Sequence, residues 1–257
     1  MHTDYSLLDS CSKPEEYIEL IVRDGGKAVS FSEHGKMLNW TEKWKMAKDA
    51  GLKYVHSVEI YLTEDLSDPV RDNYHTVLIA KNMAGLKELN TLVTKSCDKD
   101  HFYYTNRLSF DEFLDISDNV ISTSACLGSP LYQLPEDNIY YDRLVRKYTF
   151  LEIHAHNDDE QRDFNNRLVK LSRLYNKPLI AGTDTHSSSQ YKAECRAILL
   201  DAKKKKYPDD NYDLAYKTYD ELVGMFERQG SLPREIYLEA IENTNRPADM
   251  IEEIEIN

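Results

Sequence analysis

F-L-E-I-H (Phe150–His154), a run of helical spacing (Asp158–Tyr175) and P-L-I-A-G-T-D-T-H (Pro178–His186) follow one another in the chain. Two short β-rich runs joined by a helical segment read as a strand–helix–strand unit, which implies parallel strands and a right-handed crossover. Asn176 suits the end of the helix, because asparagine tolerates the left-handed conformation. Polar residues gather where the strands stop: His154 and His156 after the first, Asp184 and His186 after the second.

The same rhythm extends in both directions. Further β-rich runs are Ala28–Ser32, Tyr54–Leu62, His75–Ala80 and Val120–Ser124, and further helical runs are Pro14–Arg23, Leu38–Ala50, Leu86–Lys95 and Tyr140–Tyr148. Pro14, close behind Ser12 and followed by Glu15 and Glu16, marks a helix start, and Gly25–Gly26 and Gly51 mark helix ends. These runs predict a mostly parallel sheet of six strands plus an N-terminal stub, as a doubly wound sheet or a closed barrel. Periodicity does not choose between the two. In barrels of this kind the chemistry collects at the C-terminal strand ends, where the polar residues fall here.

Composition narrows the class. At 41% hydrophobic and 30% charged residues the chain is globular rather than disordered. Its 257 residues suit one or two domains. No run of about 18 apolar residues is present, so no membrane span is expected. Polar residues directly after Met1 speak against a secretory signal, and Cys11, Cys97, Cys126 and Cys195 lie far apart without CxxC spacing. That pattern suits a reduced, cytoplasmic protein. A net charge of −13, from 45 acidic against 32 basic residues, argues against a stand-alone duplex DNA binder. It leaves phosphate chemistry open, since carboxylate-rich metal sites make proteins acidic and their cations reverse the local field.

Most of the eight histidines fall at a strand end or mouth. His2 and Asp9 lie at the start, His34 follows the first run, Glu59 is in the second and His75 opens the third. Cys126 follows the fourth, and Asp184 and His186 follow the last. Taken singly, each is an ordinary core or surface residue. Taken together, imidazole, carboxylate and thiolate groups at one end of parallel strands converge on one mouth. A mixed N/O/S set suits Zn²⁺, Mn²⁺ or Fe²⁺ better than Mg²⁺ or Ca²⁺. One zinc takes about four ligands, so the surplus favours two or three divalent transition-metal ions sharing a bridging carboxylate.

H-T-D-Y-S-L-L-D (His2–Asp9), S-E-H-G (Ser32–Gly35), V-E-I-Y (Val58–Tyr61), Y-H-T-V-L-I-A-K-N (Tyr74–Asn82), S-A-C-L-G (Ser124–Gly128) and D-T-H (Asp184–His186) occur in this order. In that order they resemble the polymerase and histidinol phosphatase (PHP) family, in the form found in bacterial DNA polymerase III alpha subunits. F-Y-Y-T-N-R-L (Phe102–Leu108) and Y-L-E-A-I-E-N-T (Tyr237–Thr244) also resemble family stretches, so the likeness covers essentially the whole chain.

The resemblance implies an α/β fold, a distorted seven-stranded TIM-like (β/α)7 barrel of the PHP type, as one domain over residues 1–257 with 207–257 a helical extension. It implies a trinuclear centre: His2, Glu59 and Asp184 at the first ion, Glu59, His75 and Cys126 at the second, and Asp9, His34 and His186 at the third. Glu59 would bridge, and Arg107 would receive a substrate phosphate through its planar donor fork. Glu59, Arg107 and Asp184 are the expected catalytic residues. The family motif opens His-x-His, and Met1 stands at its middle position, so the resemblance implies a truncated first strand and one ligand fewer. Glu33 stands where the family has Asp.

The implied activity is hydrolysis of a phosphate ester, with a DNA 3′ end as substrate (3′–5′ exonuclease) and a polymerase or replisome as partner. The rivals are a non-catalytic PHP module or separately encoded polymerase fragment, and a small-molecule phosphatase of the histidinol phosphatase type. His154 and His156 read as polar lining, and His56 and His101 as ordinary strand or surface residues. The tyrosine pairs Tyr103–Tyr104 and Tyr140–Tyr141 read as packing rather than base stacking, and Lys203–Lys206 as a solvated helix end.

Overall fold

The computed structural model of the protein describes residues 1–71, 73–204 and 212–256. The Lys203–Lys206 run and the first residues of the 207–257 extension therefore fall partly outside the described residues.

From the N-terminus, α1 (Pro14–Arg23) starts at Pro14, and Glu16 Oε2 accepts the Lys13 N–H at 3.0 Å. Its stripe of Tyr17, Ile18 and Ile21 is buried, and Gly25 at φ 77° ends it. Then come β1 (Ala28–Ser30), α2 (Trp40–Asp49), β2 (Lys53–Val55), β3 (Ser57–Thr63), β4 (Tyr74–Ala80) and α3 (Met83–Ser96). Three two-residue strands follow, β5 (Phe102–Tyr103), β6 (Thr105–Asn106) and β7 (Leu108–Ser109), leading into α4 (Phe110–Leu114) and β8 (Val120–Thr123). After α5 (Pro130–Gln133) and α6 (Tyr141–Lys147) the strand–helix–strand unit appears as β9 (Leu151–His154), α7 (Asp159–Tyr175) and β10 (Leu179–Gly182). Asn176 closes α7 at φ 53°. The chain ends with α8 (Gln190–Ala202), α9 (Tyr219–Gln229), α10 (Arg234–Asn243) and α11 (Arg246–Met250).

β9 and β10 pair in parallel, as do β1 and β2. The central sheet departs from the parallel expectation. Its order is β7-β3-β4-β8, and β4 runs antiparallel to both neighbours, with Tyr61 opposite His75 and Val77 opposite Thr123. The cause is local. Only residues 64–73 join β3 to β4, and a parallel crossover needs about a dozen residues or more. A short connection can only reverse the chain. The expected Tyr54–Leu62 strand is also divided, at His56, whose buried ring packs edge-on to Tyr54 and Trp40.

Among the described residues no sheet closes on itself; four separate sheets form a mixed α/β arrangement. Single contacts join them. Thr123 bridges Phe150 and His34 bridges Glu59, both in parallel sense. Ser32 N donates to Met1 O at 3.0 Å, and His2 N donates to Thr185 O at 2.8 Å. The last helices cover the open edge of β10, where Thr244 Oγ1 accepts from Ala181 N (3.1 Å) and Asn243 Nδ2 donates to Leu179 O (3.0 Å). An edge strand left bare is a template for aggregation, so these side chains have a protective effect. The main core lies between the central sheet and α3, α4, α6 and α7, and contains Phe113, Leu144, Tyr148 and Phe164. None of the helices among the described residues is long and apolar enough to cross a membrane.

Gly85, in the first turn of α3, lies against the backbone of Asn119, where an added Cβ would collide with the carbonyl oxygen. Helix propensity favours alanine over glycine by about 1 kcal/mol, but a backbone oxygen cannot step aside. Gly85→Ala should therefore cost roughly 1–3 kcal/mol of stability, read as a lower urea midpoint. Gly224→Ala in α9, where the nearest atom is the flexible end of Arg228, should not. Equal midpoints for the two variants would contradict this packing.

Candidate metal centre

The strand directions bring the polar residues to one end. Beyond β1 the chain carries Glu33 and His34 to the bridge with Glu59. Because β4 is reversed, its second residue, His75, lands at the C-terminal end of β3, opposite Tyr61. Beyond β8, which runs parallel to β3, the chain reaches Cys126, and beyond β10 it reaches Asp184 and His186. Three non-glycine residues here have left-handed backbones: Leu8 before Asp9 (φ 69°), Ala125 before Cys126 (φ 55°) and Asp184 itself (φ 46°). Each costs about 1–2 kcal/mol for an L-residue. Strain that recurs beside candidate ligands fits a site held in shape by its surroundings.

All eight residues expected as ligands form one connected cluster. Glu59 is its hub: Oε1 lies 3.2 Å from both His34 Nδ1 and His75 Nδ1, and Oε2 lies 3.5 Å from His2 Nε2. His2 Nε2 is also 3.5 Å from Asp184 Oδ1. Asp9 Oδ2 reaches His34 Nε2 at 2.8 Å and His186 Nε2 at 3.3 Å. Cys126 Sγ is 3.5 Å from His75 Nδ1. The His2 ring stacks against those of both His34 and His186, with centroids 4.1 and 4.2 Å away, and the His34 and His186 rings are themselves 5.5 Å apart. Two triads have ligand atoms within 4.8 Å of one another: His2, Glu59 and Asp184, and His2, His34 and His186.

The hydrogen bonds fix a ring tautomer. Ser6 Oγ donates to Glu33 Oε2 (2.5 Å), so its lone pairs receive the His34 N–H (3.3 Å) and the His2 Nδ1–H (3.1 Å). Burial, with the nearby His34 and His186, pushes the His2 pKa down, so the ring stays neutral. Its Nε2 lone pair then faces two carboxylate oxygens with no proton between them. That arrangement is repulsive unless a cation sits there. Elsewhere protons take the place of cations. Burial disfavours the charged forms of His34 and His186, yet the carboxylates of Glu59, Asp9 and Asp184 outweigh it and shift both rings up. Burial, then the charges of Asp184 and Glu59, raises the Cys126 thiol well above its ordinary value, so a bound cation must displace that proton.

A family model for the PHP domain matches residues 1–149. The chain belongs to the PHP domain family. DNA polymerase III subunit alpha of Borreliella burgdorferi is 28% identical over 271 residues, spanning 100% of this chain and 24% of the relative. The same subunit of Aquifex aeolicus is 28% identical over 281 residues, spanning 98% of this chain and 24% of the relative. The chain thus spans about a quarter of the length of those relatives. A solved two-domain protein of Bacteroides vulgatus, described as containing a predicted PHP-like metal-dependent phosphoesterase, superposes with a TM-score of 0.48. It is 13% identical, over 89% of this chain and 61% of that one.

Two buried cations brace the mouth of this PHP domain, and sequence reasoning missed both. Arg196 of α8 donates through Nη2 to Asp9 Oδ1 (2.6 Å) and through Nε to the Asp9 carbonyl (2.7 Å), which leaves Oδ2 to the histidines. Lys43 of α2 meets Glu33 Oε1 at 2.6 Å, and Glu33 also accepts from Thr3 N, Thr3 Oγ1 and Ser6 Oγ. The available signal was a basic residue on an otherwise buried helical face: Lys43 with Ala47, and Arg196 with Leu200.

The expected role of Arg107 does not fit its position. Its side chain is buried, and it donates to the carbonyls of Val70 (2.8 Å) and His101 (3.5 Å) beside the Tyr103 ring. Nε and Nη1 of the fork are thus turned to backbone oxygens. His154 and His156 are buried, His154 in the wall of the cavity that Glu59 and Asp184 also line, and His101 binds Glu112 at 2.8 Å.

Lys43→Met would strand the Glu33 carboxylate without its buried counter-charge, at a cost of about 3–5 kcal/mol. Glu33→Gln combined with Lys43→Met should cost less than the two single changes added together, with a coupling of at least about 1 kcal/mol. Additive costs in a urea double-mutant cycle would show that the pair does not act as a unit.

Proposed function

We propose that this PHP domain is a metal-dependent phosphoesterase acting on phosphodiesters, with a DNA 3′ end as its preferred substrate. The observation that carries the metal reading is the convergence of buried His2 Nε2 on Glu59 Oε2 and Asp184 Oδ1, 3.5 Å from each. The spacings support it. Atoms bound tetrahedrally to zinc at about 2.0–2.2 Å lie roughly 3.3–3.5 Å apart, and a thiolate at about 2.3 Å lies slightly farther from a nitrogen. The His2–Glu59, His2–Asp184, His75–Glu59 and Cys126–His75 separations all fall at 3.2–3.5 Å.

In this reading His2, Glu59 and Asp184 hold one ion, Glu59, His75 and Cys126 a second, and Asp9, His34 and His186 a third. The ions are Zn²⁺, Mn²⁺ or Fe²⁺, which supply Lewis acidity toward phosphate oxygens and an acidified water. The protein's own part is positional. Glu59 turns one oxygen to each of two sets. Ser6 orients His2, and the Asp184 carbonyl orients His186 by accepting from Nδ1 at 2.7 Å. Arg196 makes Asp9 a single-oxygen ligand.

The strands compose a distorted seven-membered barrel, in which residues 1–3 take one strand's place between β1 and the segment after β10. The chain is a single domain, with the last helices fastened to β9 and β10. Kinship with polymerase alpha subunits over the whole chain favours a DNA end over a small phosphate monoester, and a polymerase as partner.

Protein purified without chelator should contain at least two equivalents of Zn, Mn and Fe combined, and EDTA should lower its melting temperature. Asp184→Asn and His75→Ala should each abolish cleavage of a 3′-labelled oligonucleotide while the circular dichroism spectrum is unchanged. Less than about half an equivalent of metal would overturn the metal reading. Turnover of p-nitrophenyl phosphate but not of the oligonucleotide would favour the small-molecule phosphatase, and metal without either activity a non-catalytic module.

A further inference from the structure

Behind the mouth a cavity of about 290 Å³ extends between the sheets, past Val55, Val77 and Ile180 to Thr244 and Pro247 of the terminal helices. Two ligand-type side chains in its wall, a carboxylate and an imidazole, belong to none of the ligand sets above. Glu152 and His154 are two apart on β9, so both side chains stand on the same face and line the cavity with Glu59 and Asp184. His154 is 1% exposed, yet neither of its ring nitrogens has a hydrogen-bond partner. Its Nε2 lies 3.2 Å from Glu152 Oε1, near enough for an ion pair, but the angle does not make a hydrogen bond. A buried polar ring left in this state requires a partner.

The surroundings are built to hold both groups in place. Thr123 Oγ1 donates to Glu152 Oε2 at 2.6 Å, which turns Oε1 toward His154. The His154 carbonyl accepts from Asn165 Nδ2 (2.8 Å) and Gln229 Nε2 (2.9 Å), and its N–H donates to Asn165 Oδ1 (3.2 Å). Opposite them stands Gly182, where a Cβ would collide with Glu152 Oε1 and come within 2.7 Å of His154 Nε2. The glycine keeps open the face that the oxygen and nitrogen share.

We infer that Glu152 Oε1 and His154 Nε2 form a further divalent-cation site, distinct from the eight residues at the mouth. Their separation matches the roughly 3.3 Å edge of a tetrahedral zinc ligand pair. The carboxylates of Glu59 and Asp184 add a field that favours a cation. Waters in the cavity complete the coordination, each needing about 30 Å³. With two protein ligands against three or more, this ion is held more weakly than those at the mouth.

Crystals of the wild-type protein soaked in Zn²⁺ and measured at the zinc edge should show an anomalous peak within bonding distance of both atoms. In solution, Glu152→Gln and His154→Ala should each bind about one Zn²⁺ fewer than wild type at saturation. Peaks at the mouth without one here overturn this site alone, leaving Glu152 and His154 a simple ion pair. No peak anywhere overturns the metal reading of the mouth as well. Undiminished zinc binding by both variants also overturns the site.

Discussion

Glu59 is almost wholly buried, and a carboxylate so placed is costly unless positive or donating groups surround it. Two histidines from separate segments, His34 and His75, provide those surroundings. Burial works to protonate Glu59, and the charges of His75 and His34 outweigh it, holding the group well below the usual carboxylate range. The requirement reaches into the topology. His75 can meet Glu59 only because β4 runs backward beside β3, so that its opening end, not its closing end, is at the mouth. Gly128 belongs to the same demand: it donates no side chain, its carbonyl accepts the His75 N–H at 2.8 Å, and a Cβ there would fall 2.6 Å from the ring.

Much of this was legible in the sequence because it rests on local rules. Pro14 with two glutamates, the glycines after α1 and α2, and Asn176 after α7 punctuate the helices where the structure does. Most residues of the cluster were legible for another reason: they follow or open a β-rich run, and strand ends converge. What escaped depends on partners distant in sequence. The direction of β4 follows from the length of the link before it, which a rule about alternating strands and helices overlooks. Lys43 and Arg196 look like solvent-facing charges until Glu33 and Asp9 are placed against them. Arg107 was assigned by resemblance, and only its contacts with Val70 and His101 show where its donors are used.

These placements bear on how an acidic chain would handle a polyanion. The net charge is −13, and the basic groups that approach the mouth are already engaged. Lys43 neutralises Glu33, Arg196 holds Asp9, and Arg107 is tied to carbonyl oxygens. The Asp9, Glu59 and Asp184 carboxylates set a negative field there toward an arriving phosphate. Protonated histidines relieve some of that field, but they do so by occupying the lone pairs that ligation needs. In this reading the attraction must come from bound ions, whose charge reverses the local potential. The buried lysine and arginine then have a clear physical role. They leave the phosphate to the ions and hold the carboxylates in the arrangement that binds those ions.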